Sequence, residues 1–276
     1  MRETKLREEI CRFGRSLFER GLTPGSSGNI SIKLDDGGYM VTPTNASLGF
    51  LDPDRLSRLA ANGQLTSGDA PTKEVPLHTA LYQTRGSARA VVHLHSTHSV
   101  ALSMLSEIDP RAALPPMTPY YLMKCGLTAL VPYYRPGDPA VADAIKGLAG
   151  KYSSVLLANH GPVVSGDTLE AAVFAMEELE ETAKLYLLLR GLNPRYLSPE
   201  QVADLTKTWM AGSSPAMTRE QLFVPMLRQR QPERPGQILD LLRRQIARVQ
   251  PAQQQIKFRR LFQFLDREHR RFQRVA

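Results

Sequence analysis

The run Val91-Val92-His93-Leu94-His95-Ser96 constrains this 276-residue chain more than any other stretch. It is rich in valine and is bounded by Gly86 on one side and a Ser/Thr cluster on the other, so it reads as a buried strand. Alternate side chains of a strand share a face, so His93 and His95 point the same way, with Cα atoms about 6–7 Å apart. Both imidazoles can then close on one metal ion through Zn–N bonds of about 2.0–2.1 Å. A third nitrogen is offered by Asn159-His160-Gly161, which follows a second apolar run, Ser154-Val-Leu-Leu-Ala158. A glycine after His160 would let the backbone turn sharply at the strand end. Three histidines on two buried strands make a catalytic type of zinc site, with one coordination position open to substrate. The competing reading is that of hydrogen-bonded core histidines. Two of them on one face, with a His-Gly turn beside a second strand, favour the metal.

The composition fits an enzyme body of ordinary kind, with 42% hydrophobic and 22% charged residues. Two cysteines, Cys11 and Cys125, give no disulfide framework, as expected in a reducing cytosol. The N-terminus is charged from its second residue, no secretory apolar region follows, and no stretch approaches the ~18–20 apolar residues of a membrane span. A cytoplasmic location without membrane association is the expectation. The net charge of +8 is unevenly placed. Residues 206–276 carry 15 Lys and Arg against 5 Asp and Glu, which leaves residues 1–205 slightly acidic at −2.

Along the chain, Leu6, Ile10, Phe13 and Leu17 make an amphipathic helix over residues 2–19. Gly25-Ser-Ser-Gly-Asn29 leads into a strand at 30–33, Asp36-Gly-Gly38 turns it, and Tyr39-Met-Val41 returns as a hairpin partner. The Gly25–Asn29 loop offers backbone N–H groups, two hydroxyls and an amide, the material of an anion-binding concavity or of a plain turn. Thr42, Thr44 and Asn45 leave the partner strand beside it. Pro76 suits the first turn of a helix from about Lys73 to Thr84, with Lys73 and Glu74 at its electropositive end and His78 one turn on. Further helices are expected at 96–105, 139–149, 167–190 (capped by Asp167) and 199–210, and loops at the proline-rich stretches 114–121 and 131–138. His78 and His98 read as structural, and Trp209 as an anchor for the last body helix. The elements mix as α/β, and the hairpin argues against a wholly parallel sheet.

In family order and spacing, Gly25-Ser-Ser-Gly-Asn29, Thr42-Pro-Thr44, Thr72-Lys-Glu74, His93-Leu-His95 and His160-Gly161 resemble the class II aldolase/adducin family over about residues 5–205. The resemblance implies a central mixed, largely antiparallel sheet flanked by helices. It also implies one Zn²⁺ per chain on His93, His95 and His160, with Glu74 as catalytic acid/base. Ser26, Gly28, Asn29, Thr42, Thr44, Thr72 and Lys73 fall where the family holds the substrate phosphate. Homotetramers with sites between subunits are implied, a tyrosine of the neighbour assisting proton transfer; Tyr120 and Tyr121 both match. The stretches Leu94–Ala101, Met117–Lys124 and Val131–Asp138 look like the branch that decarboxylates 3-oxo-tetronate 4-phosphates to dihydroxyacetone phosphate. They look less like aldolases of fuculose 1-phosphate type or ribulose-phosphate epimerases. Zinc would act as Lewis acid on the enediolate left by loss of CO₂, and Arg135 or Lys124 is a candidate to hold the carboxylate.

These landmarks place a catalytic domain in residues 1–210 and a basic tail, helical or disordered, in 211–276. The tail opens on the linker Ala211-Gly-Ser-Ser-Pro-Ala-Met-Thr218 and continues with two arginine-rich apolar stripes. Two readings of it stand: an accretion without function, or an arm for nucleic acid or another anionic partner. A catalytically silent, adducin-like scaffold is the remaining alternative, and the presence of all three histidines and Glu74 speaks against it.

Overall fold

The computed structural model describes residues 3–148 and 150–209. In chain order the elements are α1 (Glu3–Glu19), β1 (Asn29–Lys33), β2 (Tyr39–Val41), β3 (Ser57–Leu59), β4 (Leu65–Ser67), α2 (Val75–Thr84), β5 (Ala90–His93), α3 (Thr97–Ser103), α4 (Pro119–Lys124), β6 (Thr128–Val131), α5 (Ala140–Lys146), β7 (Ser154–Leu157), β8 (Gly161–Gly166), α6 (Leu169–Leu189) and α7 (Pro199–Trp209). The eight strands form one sheet in the order β4-β3-β2-β1-β5-β8-β7-β6. Every pairing is antiparallel except β6 with β7.

Period-two alternation divides the apolar side chains between two faces. Ile30, Ile32, Met40, Ala90, Val92, Leu156 and Val164 pack with Ile10, Phe13 and Leu17 of α1 and with Ala172, Met176 and Leu179 of α6. On the other face Val91, Ala129, Val131, Val155, Leu157 and Val163 pack with Leu77, Ala80 and Leu81 of α2 and with Val141 and Ile145 of α5. The central strands are covered on both sides, which is why β5 and β7 read as continuous apolar runs. Among the described residues no helix is long and apolar enough to cross a membrane.

Several local expectations are corrected. Residues 119–121 begin helix α4, because Pro119 stands at its first position, where its missing N–H costs nothing, and Thr118 Oγ1 accepts from Tyr121 N. The cap of α6 is Thr168, whose hydroxyl accepts from Ala171 N at 3.0 Å, so Asp167 lies outside the helix. Strands β3 and β4 were not expected; each has three residues and β4 is exposed along its length. The linker and the basic stripes of the tail, and the Trp209 side chain, lie outside the described residues.

One buried carboxylate fastens the two helices that flank the histidine strand. Glu180 of α6, 4% exposed, accepts from His98 N at 2.8 Å and Ser99 N at 2.9 Å. Those N–H groups stand in the first turn of α3 and have no partner within their own helix. The Ser99 hydroxyl and His98 Nδ1 complete its contacts at 2.7 and 2.8 Å. Burial alone would raise the Glu180 carboxyl; the Ser99 and His98 donors outweigh it and hold it below the ordinary range. Glu180→Ala should therefore lower the unfolding free energy by about 3 kcal/mol at neutral pH, since it strands several donors at once. A folded pKa below the unfolded one stabilises above about pH 4.3, and that contribution is lost as pH falls toward the folded value. Urea titrations of wild type and variant should differ most at pH 6–7 and converge below pH 4; a gap that persists in acid would assign the effect to packing.

Candidate active site

The site begins where β5 ends beside the start of β8. Their antiparallel register sets His93 opposite Val163. His93 lies within 2.8 Å of the Pro162 carbonyl oxygen through Nδ1. A carbonyl only accepts, so Nδ1 carries the proton and Nε2 turns a lone pair to the site. His95 lies two residues on, just past the strand, and its Nε2 is 3.2 Å from that of His93. His160 Nε2 is 3.3 Å from the same atom.

His160 arrives by a route the sequence only half suggested. The left-handed residue of the turn is Asn159, at φ 56°. Gly161 also sits at positive φ, 157°, where L side chains are rarely found, and it is required for a second reason: a Cβ there would stand 2.3 Å from the Leu94 carbonyl oxygen. Absence of a side chain lets the two strand ends approach until their histidines share one point. Gly28 performs a similar service one strand over. It is left-handed at φ 79°, and a Cβ on it would come within 2.9 Å of the His93 carbonyl oxygen.

The three histidines fit a divalent metal. Their ligand atoms all lie within 4.8 Å of one another. Tetrahedral bonds of about 2.0–2.1 Å would set ligand nitrogens roughly 3.3–3.4 Å apart, close to the two separations from His93. Burial depresses the basicity of all three imidazoles, that of His93 to about 4. All three are therefore neutral at pH 7, the form that binds metal.

Glu74 closes the fourth side. It occupies the residue before α2, one oxygen 3.4 Å from His93 Nε2 and the other 3.5 Å from His160 Nε2. Asn29 Nδ2 donates to Glu74 Oε2 at 2.7 Å. Burial alone would raise the Glu74 carboxyl; the facing His93, the Asn29 amide and His160 bring it below the usual range. A carboxylate held ionised against a metal triad can accept a proton from, or return one to, a carbon atom lying between them.

The expected phosphate residues divide. The Pro43–Pro71 bridge joins the Thr42 and Thr72 segments, and Thr72 N donates to Thr42 O at 3.2 Å. Thr42 Oγ1 accepts from Ile30 N and Thr72 Oγ1 from Glu74 N, which leaves both hydroxyl protons available to an anion. Thr44 spends its N–H on Ala70 O, while Ser26 and Lys73 are exposed. Asn29 is buried and both ends of its amide are used, toward Glu74 and toward His78. Tyr121 is fully buried, its hydroxyl on Thr128 Oγ1 at 3.1 Å, so the structure does not bring it to the histidines. Tyr120 is 61% exposed and free to meet a neighbouring molecule. Arg135 shares a cleft with Lys73, Glu74 and His160, whereas Lys124 lies over the Phe174 ring. The Pro162 carbonyl, Ser31 and Tyr82 were missed. A backbone oxygen leaves no mark in a sequence, and Ser31 looks like the solvent side of an alternating strand.

Comparison with known proteins agrees with this geometry. Residues 8–187 match the family model of the class II aldolase and adducin N-terminal domain. The chain is 51% identical over 203 residues to the 3-oxo-tetronate 4-phosphate decarboxylase of Escherichia coli K12, covering 74% of this chain and 96% of that protein. It is 30% identical over 207 residues to the L-fuculose phosphate aldolase of Haemophilus influenzae, covering 73% and 92% respectively. The crystal structure of YgbL from Escherichia coli superposes with a TM-score of 0.72 at 49% identity, covering 74% of this chain and 99% of the other. The family model spans most of the described residues, and the sheet, the histidine triad and the relatives agree: this chain belongs to the class II aldolase and adducin family.

Proposed function

We propose that the chain is a carboxy-lyase that converts 3-oxo-tetronate 4-phosphate to dihydroxyacetone phosphate and CO₂. The carrying observation is the 51% identity to a decarboxylase of that substrate over 96% of its length. The placement of Glu74 against His93 and His160 supports it. His93, His95 and His160 would hold zinc, one ion per chain, supplying a Lewis acid for the negative charge that develops on the ketone oxygen.

The residues of the chain supply the rest. The C1–C2 bond of the substrate breaks, CO₂ leaves, and its electron pair passes through C2 to the C3 oxygen as an enediolate. Glu74 delivers a proton to C2, and water replaces that proton, so each turnover takes up one. The hydroxyls of Thr42, Thr44 and Thr72, with Lys73, Ser26 and the backbone at Gly28, form the phosphate end. Binding energy spent on the remote phosphate holds C1–C3 against the reactive groups. Asn29 belongs to the same cluster through Glu74. Residues 1–210 act as the catalytic domain and residues 211–276 as an appendage, since the family model ends at residue 187. A cytoplasmic homotetramer belongs to this proposal, with Tyr120 of one subunit lent to the site of another.

Aldol cleavage of a fuculose-type phosphate is the second reading, favoured by the 30% identity to that aldolase. It passes through an equivalent enediolate and would use the same ligands.

Purified protein should carry about one zinc per chain by elemental analysis, and His93→Ala should lose metal and turnover together. Glu74→Gln should keep its metal while kcat falls by ~10²–10⁴-fold; a near-normal kcat would move the proton to another group. Lys73→Ala should weaken turnover of the phosphorylated substrate and leave the zinc content unchanged. With 3-oxo-tetronate 4-phosphate, CO₂ and dihydroxyacetone phosphate should form in equal amounts. Fast cleavage of fuculose 1-phosphate without CO₂ from the tetronate would replace the decarboxylase by the aldolase.

A further inference from the structure

Beyond the metal, a buried ladder of polar side chains ends on Glu74. Glu74, His78 and Tyr82 stand four residues apart and share one face of the segment that begins α2. Asn29 and Ser31 stand two apart on the facing side of β1. The rungs interleave. Tyr82 Oη is 2.7 Å from Ser31 Oγ, and Ser31 Oγ is 2.7 Å from His78 Nδ1. His78 Nε2 is 2.6 Å from Asn29 Oδ1, and Asn29 Nδ2 is 2.7 Å from Glu74 Oε2. Ser31, His78, Tyr82 and Asn29 are 0%, 1%, 3% and 6% exposed, so water does not compete for these bonds.

Proton positions along the ladder follow from its ends. An ionised Glu74 only accepts, so Asn29 must face it with the amide nitrogen and face His78 with the oxygen. His78 must then donate from Nε2. Full burial, the largest influence on this ring, drives its basicity down to about 3, so it holds a single proton. Nδ1 is left as an acceptor for the Ser31 hydroxyl, and Ser31 Oγ in turn accepts from Tyr82, which also reaches the Ser31 carbonyl oxygen at 3.0 Å. From Ser31 through His78 to Asn29, each donor points toward Glu74, while the one Tyr82 proton is shared between Ser31 Oγ and the Ser31 carbonyl oxygen.

We infer that His78 is a positioning residue for the reaction, fixing through its Nε2–H the orientation of the Asn29 amide and thereby the rotamer of the Glu74 carboxylate. This rests on the reading of Glu74 as the acid/base. A glutamate has three rotatable bonds, and without the ladder its carboxylate would be restrained only by its contacts with His93 and His160. Asn29 with its amide reversed would offer an oxygen to the carboxylate, a repulsive pair in a site of low dielectric. His78 excludes that state because its only proton needs the amide oxygen. The imidazole touches none of the three proposed metal ligands by hydrogen bond, so its influence is on the carboxylate.

The test uses full-length, metal-loaded protein and two variants of similar bulk. His78→Gln retains an N–H that can reach the Asn29 oxygen; His78→Met has none. We expect His78→Met to lower kcat by ~10–100-fold with KM and zinc content unchanged, and His78→Gln to recover most of the loss. Equal kcat in His78→Met and wild type, or an equal fall in both variants, would overturn the inference. Should His78→Met fail to fold, Ser31→Ala takes its place, because it frees Nδ1 to take the proton; unchanged kcat there counts against the ladder. Histidine-selective ¹⁵N NMR of the wild type, assigned by the His78→Gln spectrum, reads the proton directly. A neutral Nε2–H form at pH 7 is expected, and an Nδ1–H form or an imidazolium overturns the proposal. This measurement needs no substrate, so it decides the role of His78 even if the tetronate proves not to be turned over.

Discussion

The catalytic geometry depends on one close approach, that of the His160-Gly161 backbone to the Leu94 carbonyl where β8 begins and β5 ends. A Cβ at residue 161 would stand 2.3 Å from that oxygen, a separation that real side chains do not tolerate. With glycine there the strands stay paired to their ends, Leu94 N reaching Pro162 O at 3.2 Å. That pairing carries His160 to within 3.3 Å of His93 between their Nε2 atoms. The same carbonyl of Pro162 receives His93 Nδ1, so one short segment brings the third ligand, sets the tautomer of the first and closes the sheet beside them.

Around this point His93, Asn29 and His78 are buried but paired. The proximal face of the sheet holds His93 at 0% exposure and Asn29 at 6%, where an unpaired donor or acceptor would be costly. Each finds a partner: His93 on a carbonyl, Asn29 between Glu74 and His78, His78 between Asn29 and Ser31. On the far side Glu180 does the equivalent for α3, the helix that leaves the histidine strand. Low dielectric strengthens these bonds and penalises their loss, so the scaffold and the reactive groups are rigid for the same reason. A site so arranged can stabilise charge without reorganising when charge appears.

The chemistry separates into a shared part and a discriminating part. A metal triad with a carboxylate opposite suits any reaction that leaves an electron pair beside a ketone, whether CO₂ or an aldehyde departs. What must differ is the cleft beyond Glu74 and His160, and here it is lined by Arg135, Lys73 and Tyr134 together with Leu77, Val141 and Leu157. Asp138 lines the same cleft, so its cations stand beside a carboxylate as well as an apolar wall. Lys124, the other cation considered for the substrate carboxylate, is engaged with Phe174 instead.

What the sequence determined by itself was carried by short-range periodicity and by ordered motifs. The strand through His93, the Ser154–Leu157 strand before His160 and the hairpin at residues 29–41 stand close to where local patterning places them, while His95 falls just past its strand and the helix carrying Pro76 opens at Val75 rather than Lys73. Glu74 stands one residue before that helix, not within its first turn. Only the tertiary structure decided which of two adjacent tyrosines is buried. Tyr120 and Tyr121 are indistinguishable by composition, and a turn of about 100° per residue on α4 sends one into the core and the other outward. It also decided that Gly161 combines a positive φ with a close approach, and that His78 and Tyr82 of one helix interleave with Asn29 and Ser31 of a strand more than 40 residues away. The physical reason is the same in each case. Periodicity fixes which residues share a face, but the neighbour that face meets is chosen by long-range packing, and a side chain acquires its chemical role from that neighbour.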